Sequence, residues 1–192
     1  MSNELTTGDI VRDYPALAAR TAGTWERNWE ELLNRMIGVG QELLELAGAS
    51  AGDDEFRDGD VLWYAARAAT LCDLDWAALC AKAKHDVEYY STDYGNLENI
   101  MSAANSILDH VKKAHRKTRG VGYGPLGNMF SAIDKESLHY QLATAMTIVL
   151  LWSVCWQGRQ LTLEDLLTAN VAKLAARHPD GFNADYASKE GK

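Results

Sequence analysis

The stretch Leu97-Glu-Asn-Ile-Met-Ser-Ala-Ala-Asn-Ser-Ile-Leu-Asp-His-Val111 decides the fold class. Its apolar residues, Leu97, Ile100, Met101, Ala104, Ile107, Leu108 and Val111, recur at steps of three and four, so they line one face of an α-helix. The same rhythm returns in Leu163, Leu166, Leu167, Val171 and Leu174, where Thr162 stands at the N-cap and Asp165 three residues on, as a capping box requires. Strand-like alternation is sustained nowhere, Ala and Leu far outnumber Val and Ile, and the chain holds only three prolines. The expectation is an all-α protein with helices near 15–22, 25–47, 56–72, 75–90, 96–117, 136–157 and 162–177. The segment 118–134, with Gly120, Gly122, Gly124, Pro125 and Gly127, reads as the widest break, and 183–192 as a loose polar tail.

Composition narrows the function classes. With 47% apolar and 24% charged residues in 192, the chain has the makings of a packed core rather than of a disordered segment. Nineteen Lys and Arg against 27 Asp and Glu give a formal charge of −8, which disfavours a general nucleic-acid coat. Tyr140–Trp156 carries no formal charge over 17 residues, at the short edge of a membrane span, but Gln141, Thr144, Thr147 and Ser153 make it a buried bundle helix instead. The N-terminus has neither a basic nor an apolar region, so no signal peptide is expected. Three cysteines, Cys72, Cys80 and Cys155, lie in apolar surroundings and read as reduced core residues. These features point to a cytoplasmic protein without a membrane or nucleic-acid partner.

The chain also repeats itself. Asp60-Val-Leu-Trp-Tyr leads 14 residues later to Leu74-Asp-Trp-Ala-Ala-Leu, and Thr147-Ile-Val-Leu-Leu leads 14 residues later to Leu161-Thr-Leu-Glu-Asp-Leu. Leu32–Leu46 matches Leu97–Val111 in apolar spacing. Two half-bundles packed as a pseudo-dimer explain this, with residues 25–92 and 93–182 as halves and 1–24 as an extension.

Two segments carry a family resemblance. Gly59-Asp-Val-Leu-Trp-Tyr64 and the run Leu161–Phe182, with its Ala169-Asn-x-x-Lys-Leu and Arg177-x-Pro-Asp-Gly-Phe182 pieces, resemble MazG-type all-α nucleoside triphosphate pyrophosphohydrolases. Weaker helical matches extend the resemblance over most of residues 30–182. It implies a helical bundle whose carboxylates hold Mg²⁺ and cleave a nucleotide to monophosphate and pyrophosphate, from an E-E-x-x-E motif on one helix and E-x-x-D on the next. Such chemistry needs a cation to neutralise the phosphates and activate water.

The signature is damaged here. Gln41-Glu-Leu-Leu-Glu45 carries Gln in first place, and Arg57-Asp-Gly-Asp60 carries Arg where Glu belongs. Glu42, Glu45 and Asp60 remain as the metal set, with Glu42 or Glu45 orienting the attacking water if the site is active. Asp58 or Glu55 is the available substitute for the lost carboxylate. The second half has Ser102, Ala103, Ser106, Thr144 and Thr147 in the corresponding places. Arg57 beside three carboxylates would pair with them and offer phosphate a bidentate donor in place of metal. A plain salt-bridge network is the bland reading of the same residues.

The resemblance makes Asn170 and Lys173 ligand contacts. They share a helix face with Arg177, whose alternative role is to complement the helix dipole. Trp63 and Tyr64 flank the damaged motif and are the aromatic candidates to stack on a base, although most of the six Trp should be core. Arg119 ends the dense basic run Lys112–Arg119 before the glycine-rich segment, a candidate phosphate clamp without the ending of a Walker loop. His85-Asp86 lacks the further ligands of an HD phosphohydrolase.

Three functions follow. The favoured one is a nucleotide-binding protein, forming a homo-oligomer, that captures a phosphorylated nucleotide or nucleotide signal with lapsed or weak hydrolysis, as a phage decoy would, using Gln41, Arg57, Trp63, Tyr64, Arg119, Asn170, Lys173 and Arg177 and no cofactor. The alternative is an active Mg²⁺-dependent pyrophosphohydrolase. The third is a helical interaction module.

Overall fold

A computed structural model describes residues 9–23, 25, 28–48, 58–119, 133–157 and 161–178. Among them are seven α-helices: α1 (Ile10–Arg20), α2 (Asn28–Gly48), α3 (Asp58–Leu71), α4 (Trp76–Tyr89), α5 (Leu97–Arg119), α6 (Lys135–Gln157) and α7 (Leu163–Arg177). A 3₁₀ turn, Thr92–Gly95, joins α4 to α5, and no strand occurs among the described residues. The protein is all-α.

Helix ends follow local chemistry. Asp75 caps α4 by accepting from the Ala78 amide at 3.1 Å. Thr162 and Asp165 form the reciprocal capping box of α7. That pairing also holds the Asp165 carboxyl below its usual range, chiefly through the Thr162 hydroxyl and then its amide. The largest departure from sequence expectation is α1. The expectation places its start near residue 15. The helix instead starts at Ile10, capped by Asp9, with Pro15 inside it. An interior proline forfeits one helical hydrogen bond and costs about 3 kcal/mol or more. Burial of Tyr14 and Ala18, 0% and 1% exposed, works against that cost.

Helix α2 packs against α3 and α5; α4 runs along α6; α1 lies across α3, α4 and α7; and α3 also touches α6 and α7. Helix α3 is therefore the hub. Val61, Leu62, Ala65, Ala66, Ala68 and Ala69 are fully buried, and their small side chains let several helices approach it closely. Helix α6 is buried through Leu142, Ala143, Ala145, Met146, Ile148 and Val149, as a central bundle helix should be. No helix among the described residues is long and apolar enough to cross a membrane. Cys72 and Cys80 are buried free thiols, and burial pushes them up to about 11 and about 12.

Candidate functional site: a polar seam through the bundle

Polar residues interrupt this apolar interior in a regular way. On α3, Asp60, Tyr64 and Arg67 stand at i, i+4 and i+7. On α2, Glu31, Arg35, Gly38 and Glu42 stand at i, i+4, i+7 and i+11. Each set lies on one helix face, and the two faces meet, which gives α2–α3 a polar seam. Asp60 and Arg67 are separated along it by about 10 Å of helix rise.

Asp60 anchors one end. Its Oδ1 accepts from Lys173 Nζ at 2.5 Å and from Asn170 Nδ2 at 3.1 Å, both from α7. Asn170 is 1% exposed, and its Oδ1 accepts from the Tyr14 hydroxyl of α1 at 2.8 Å. Tyr14 stacks on Trp76 with ring centres 5.8 Å apart. Four residues on three helices thus form a continuous chain, Tyr14–Asn170–Asp60–Lys173. Burial, then the charge of Asp60, raises the Tyr14 phenol well above its ordinary value, so it stays a proton donor. Helices α3 and α7 come this close because Gly59 has no side chain. A Cβ there would stand 2.6 Å from Asn170 Cβ and 2.7 Å from its Nδ2.

Tyr64 occupies the middle of the seam, laid over Gly38, where a Cβ would meet its ring at 2.4 Å. Its phenol is raised first by burial and then by Glu42, with smaller contributions from Asp60 and Glu45, while Arg35 opposes them. The three carboxylates that the resemblance singles out thus all bear on one hydroxyl. Glu42 is half-buried, and Glu45, exposed, accepts from Gln41 Nε2 at 3.2 Å.

The far end is cationic. Glu31 Oε1 accepts from Arg67 Nη2 at 2.7 Å and Nε at 3.1 Å, and from Arg35 Nε at 3.4 Å. Arg35 is 4% exposed and also donates to the Ala22 carbonyl at 2.6 Å. Its guanidinium carbon lies 4.5 Å from the centre of Trp63, 5.4 Å from that of Trp25 and 5.8 Å from that of Tyr64. Burial lowers the Arg35 pKa, Glu31 counteracts this, and the neighbouring charge of Arg67 adds to the lowering.

Of the residues singled out from sequence, Asp60, Asn170 and Lys173 are therefore joined by direct bonds, and Tyr64, Glu42 and Glu45 lie in the same electrostatic neighbourhood. Trp63 faces inward: its indole N–H donates to Thr21 Oγ1 at 3.0 Å and to the Ala18 carbonyl at 3.2 Å. Arg177 is exposed at the end of α7. Arg57 and Glu55 lie outside the described residues, as do the side chains of Asp58 and Arg119. Sequence reading missed Tyr14, Glu31, Arg35 and Arg67. For Glu31, Arg35 and Arg67 the usable signal was their helical spacing in line with residues already chosen; Tyr14 had none.

The donor set bears on Mg²⁺. Among the described residues no three Asp, Glu, His or Cys side chains are grouped to hold a metal ion. Asp60, which the resemblance makes a ligand, has its Oδ1 shared between the Lys173 ammonium and the Asn170 amide. No protein-family model, curated protein or solved structure matches the chain.

Proposed function

We propose that this is a MazG-like nucleotide-binding protein that captures a phosphorylated nucleotide or nucleotide-derived signal with hydrolysis lapsed or feeble. The observation that carries the reading is the state of Asp60. The carboxylate that a hydrolase would give to magnesium is held by Lys173 and Asn170. Lys173 supplies the positive charge for a phosphate, Asn170 a polar edge, and Arg57, in the place of a metal-binding glutamate, a bidentate donor. Helix α2 packs on α5 and α3 on α6, which supports the two-half, pseudo-dimeric organisation, because these are the helices matched by the internal repeat.

Mass spectrometry of small molecules released from the natively purified protein tests the reading. A phosphorylated nucleotide should co-purify, and Lys173→Ala should reduce its retention by roughly 10–100-fold, the worth of one charge-assisted hydrogen bond. A protein that carries no ligand and binds no nucleotide added to it would instead be an interaction module. A second reading, a residual pyrophosphohydrolase, draws on Glu42, Glu45 and Asp60 all lying near enough to raise the Tyr64 phenol.

A further inference from the structure

Among the described residues, the cationic end of the seam sets two guanidiniums around one carboxylate. Arg35 and Arg67 share a single carboxylate oxygen of Glu31. The other partners of Arg35 are neutral: the Ala22 carbonyl and Asn34 Oδ1. Aromatic faces surround it, and these attract a cation without cancelling its charge. The side chains are 5%, 12% and 8% exposed for Arg35, Arg67 and Glu31. Two guanidiniums sharing one carboxylate at such burial hold a concentrated positive potential among these described side chains. A protein that keeps this arrangement gains when an anion arrives.

We propose that Arg67, backed by Arg35, is a second oxyanion-binding position, and that it takes a phosphoryl group. Arg67 commits Nε and Nη2 to Glu31, and its Nη1 lies outside that fork. Of the two guanidiniums it is the more exposed, so a ligand enters from its side. Arg35 does not touch the ligand; it holds Glu31 and raises the local potential. A planar guanidinium suits a tetrahedral oxyanion better than an ammonium does. The position stands about 10 Å along α3 from Asp60 and Lys173. On the nucleotide-capture reading, on which this rests, the ligand then carries anionic groups at two separated points rather than a single terminal triphosphate.

Inorganic phosphate and pyrophosphate are the probes. Calorimetry at constant ionic strength should show saturable binding, and the Trp63 indole N–H resonance should move with the same midpoint, because that ring lies against Arg35. Arg67→Gln should weaken binding about tenfold or more. If Arg67→Gln fails to fold, Arg67→Lys carries the test, since it keeps the charge but loses the fork and should still weaken binding severalfold. Unchanged affinity in either folded variant, no saturation in the parent protein, or an equal response to chloride overturns the proposal. The outcome separates the two readings. Phosphate binding at Arg67 without any nucleotide binding defeats nucleotide capture alone, and nucleotide binding indifferent to Arg67 defeats this position alone.

Discussion

Replacing Asn170 by alanine tests the central polar chain. The residue is 1% exposed, accepts from Tyr14 at 2.8 Å and donates to Asp60 at 3.1 Å. Alanine leaves the Tyr14 hydroxyl with no partner in a position that is 0% exposed. An orphaned buried hydroxyl costs about 1–3 kcal/mol, and a lost hydrogen bond to a charged group about 1.5–3. The two together give roughly 3–5 kcal/mol, a large share of a typical domain's stability. For a chain of this size that is a fall in Tm of about 6–20 °C. Thermal and urea unfolding followed by circular dichroism would measure it. Adding Tyr14→Phe removes the hydroxyl that alanine would strand, so the double variant should recover about 1–2 kcal/mol relative to additivity. A loss under about 1 kcal/mol for Asn170→Ala, or additivity within about 0.5 kcal/mol, would refute the chain as a structural unit.

Other perturbations give distinct outcomes. Gly59→Ala would gain about 1 kcal/mol of helix propensity at a neutral site. Here its Cβ would stand 2.6 Å from that of Asn170, so calorimetric melting should show a net loss of about 1–2 kcal/mol; a net gain would mean that α3 and α7 are not held together as described. Glu31→Gln leaves two buried guanidiniums without a counter-charge and should cost about 3–5 kcal/mol, partly restored by millimolar phosphate; a neutral substitution in urea unfolding would count against the buried network. Cys72 and Cys80, pushed up to about 11 and about 12 by burial, ionise in the unfolded chain before they do in the folded one. The unfolded state therefore binds fewer protons above about pH 9, and stability falls as pH rises. The two thiols together account for about 3 kcal/mol lost by pH 10. Urea unfolding at pH 8 and pH 10 should show that loss, reduced when both thiols are replaced by alanine; an equal slope in that variant contradicts it.

Fold class was legible because periodicity and capping are local. The stripe at 97–111 and the Thr162–Asp165 box lie in helices α5 and α7 with little displacement of their ends. Helix α1 starts at Ile10 rather than near residue 15, because tertiary burial of Tyr14 draws the segment before Pro15 into the helix. The site was half legible. Asp60, Asn170 and Lys173 were chosen from motif spacing, but nothing local shows that Lys173 and Asn170 converge on Asp60 across more than 100 residues of sequence. Tyr14, from the segment assigned to an extension, completes the chain for the same reason: its partner is 156 residues away. The orientation of Trp63 was equally hidden, since its acceptors, Ala18 and Thr21, belong to that same distant segment. Arg35 and Arg67 sit on helices of mixed character, where a charge reads as a solvated face until packing buries it.

The most direct measurement pairs binding and turnover in one sample. A panel of nucleoside triphosphates is titrated first in EDTA and then in Mg²⁺ or Mn²⁺, with affinity and released pyrophosphate followed together. Nucleotide capture with Asp60 held by Lys173 predicts saturable binding that survives EDTA and no sustained pyrophosphate release on adding metal. Metal-dependent release of pyrophosphate, abolished by Glu42→Gln and Asp60→Asn, would contradict it and make the protein a working hydrolase.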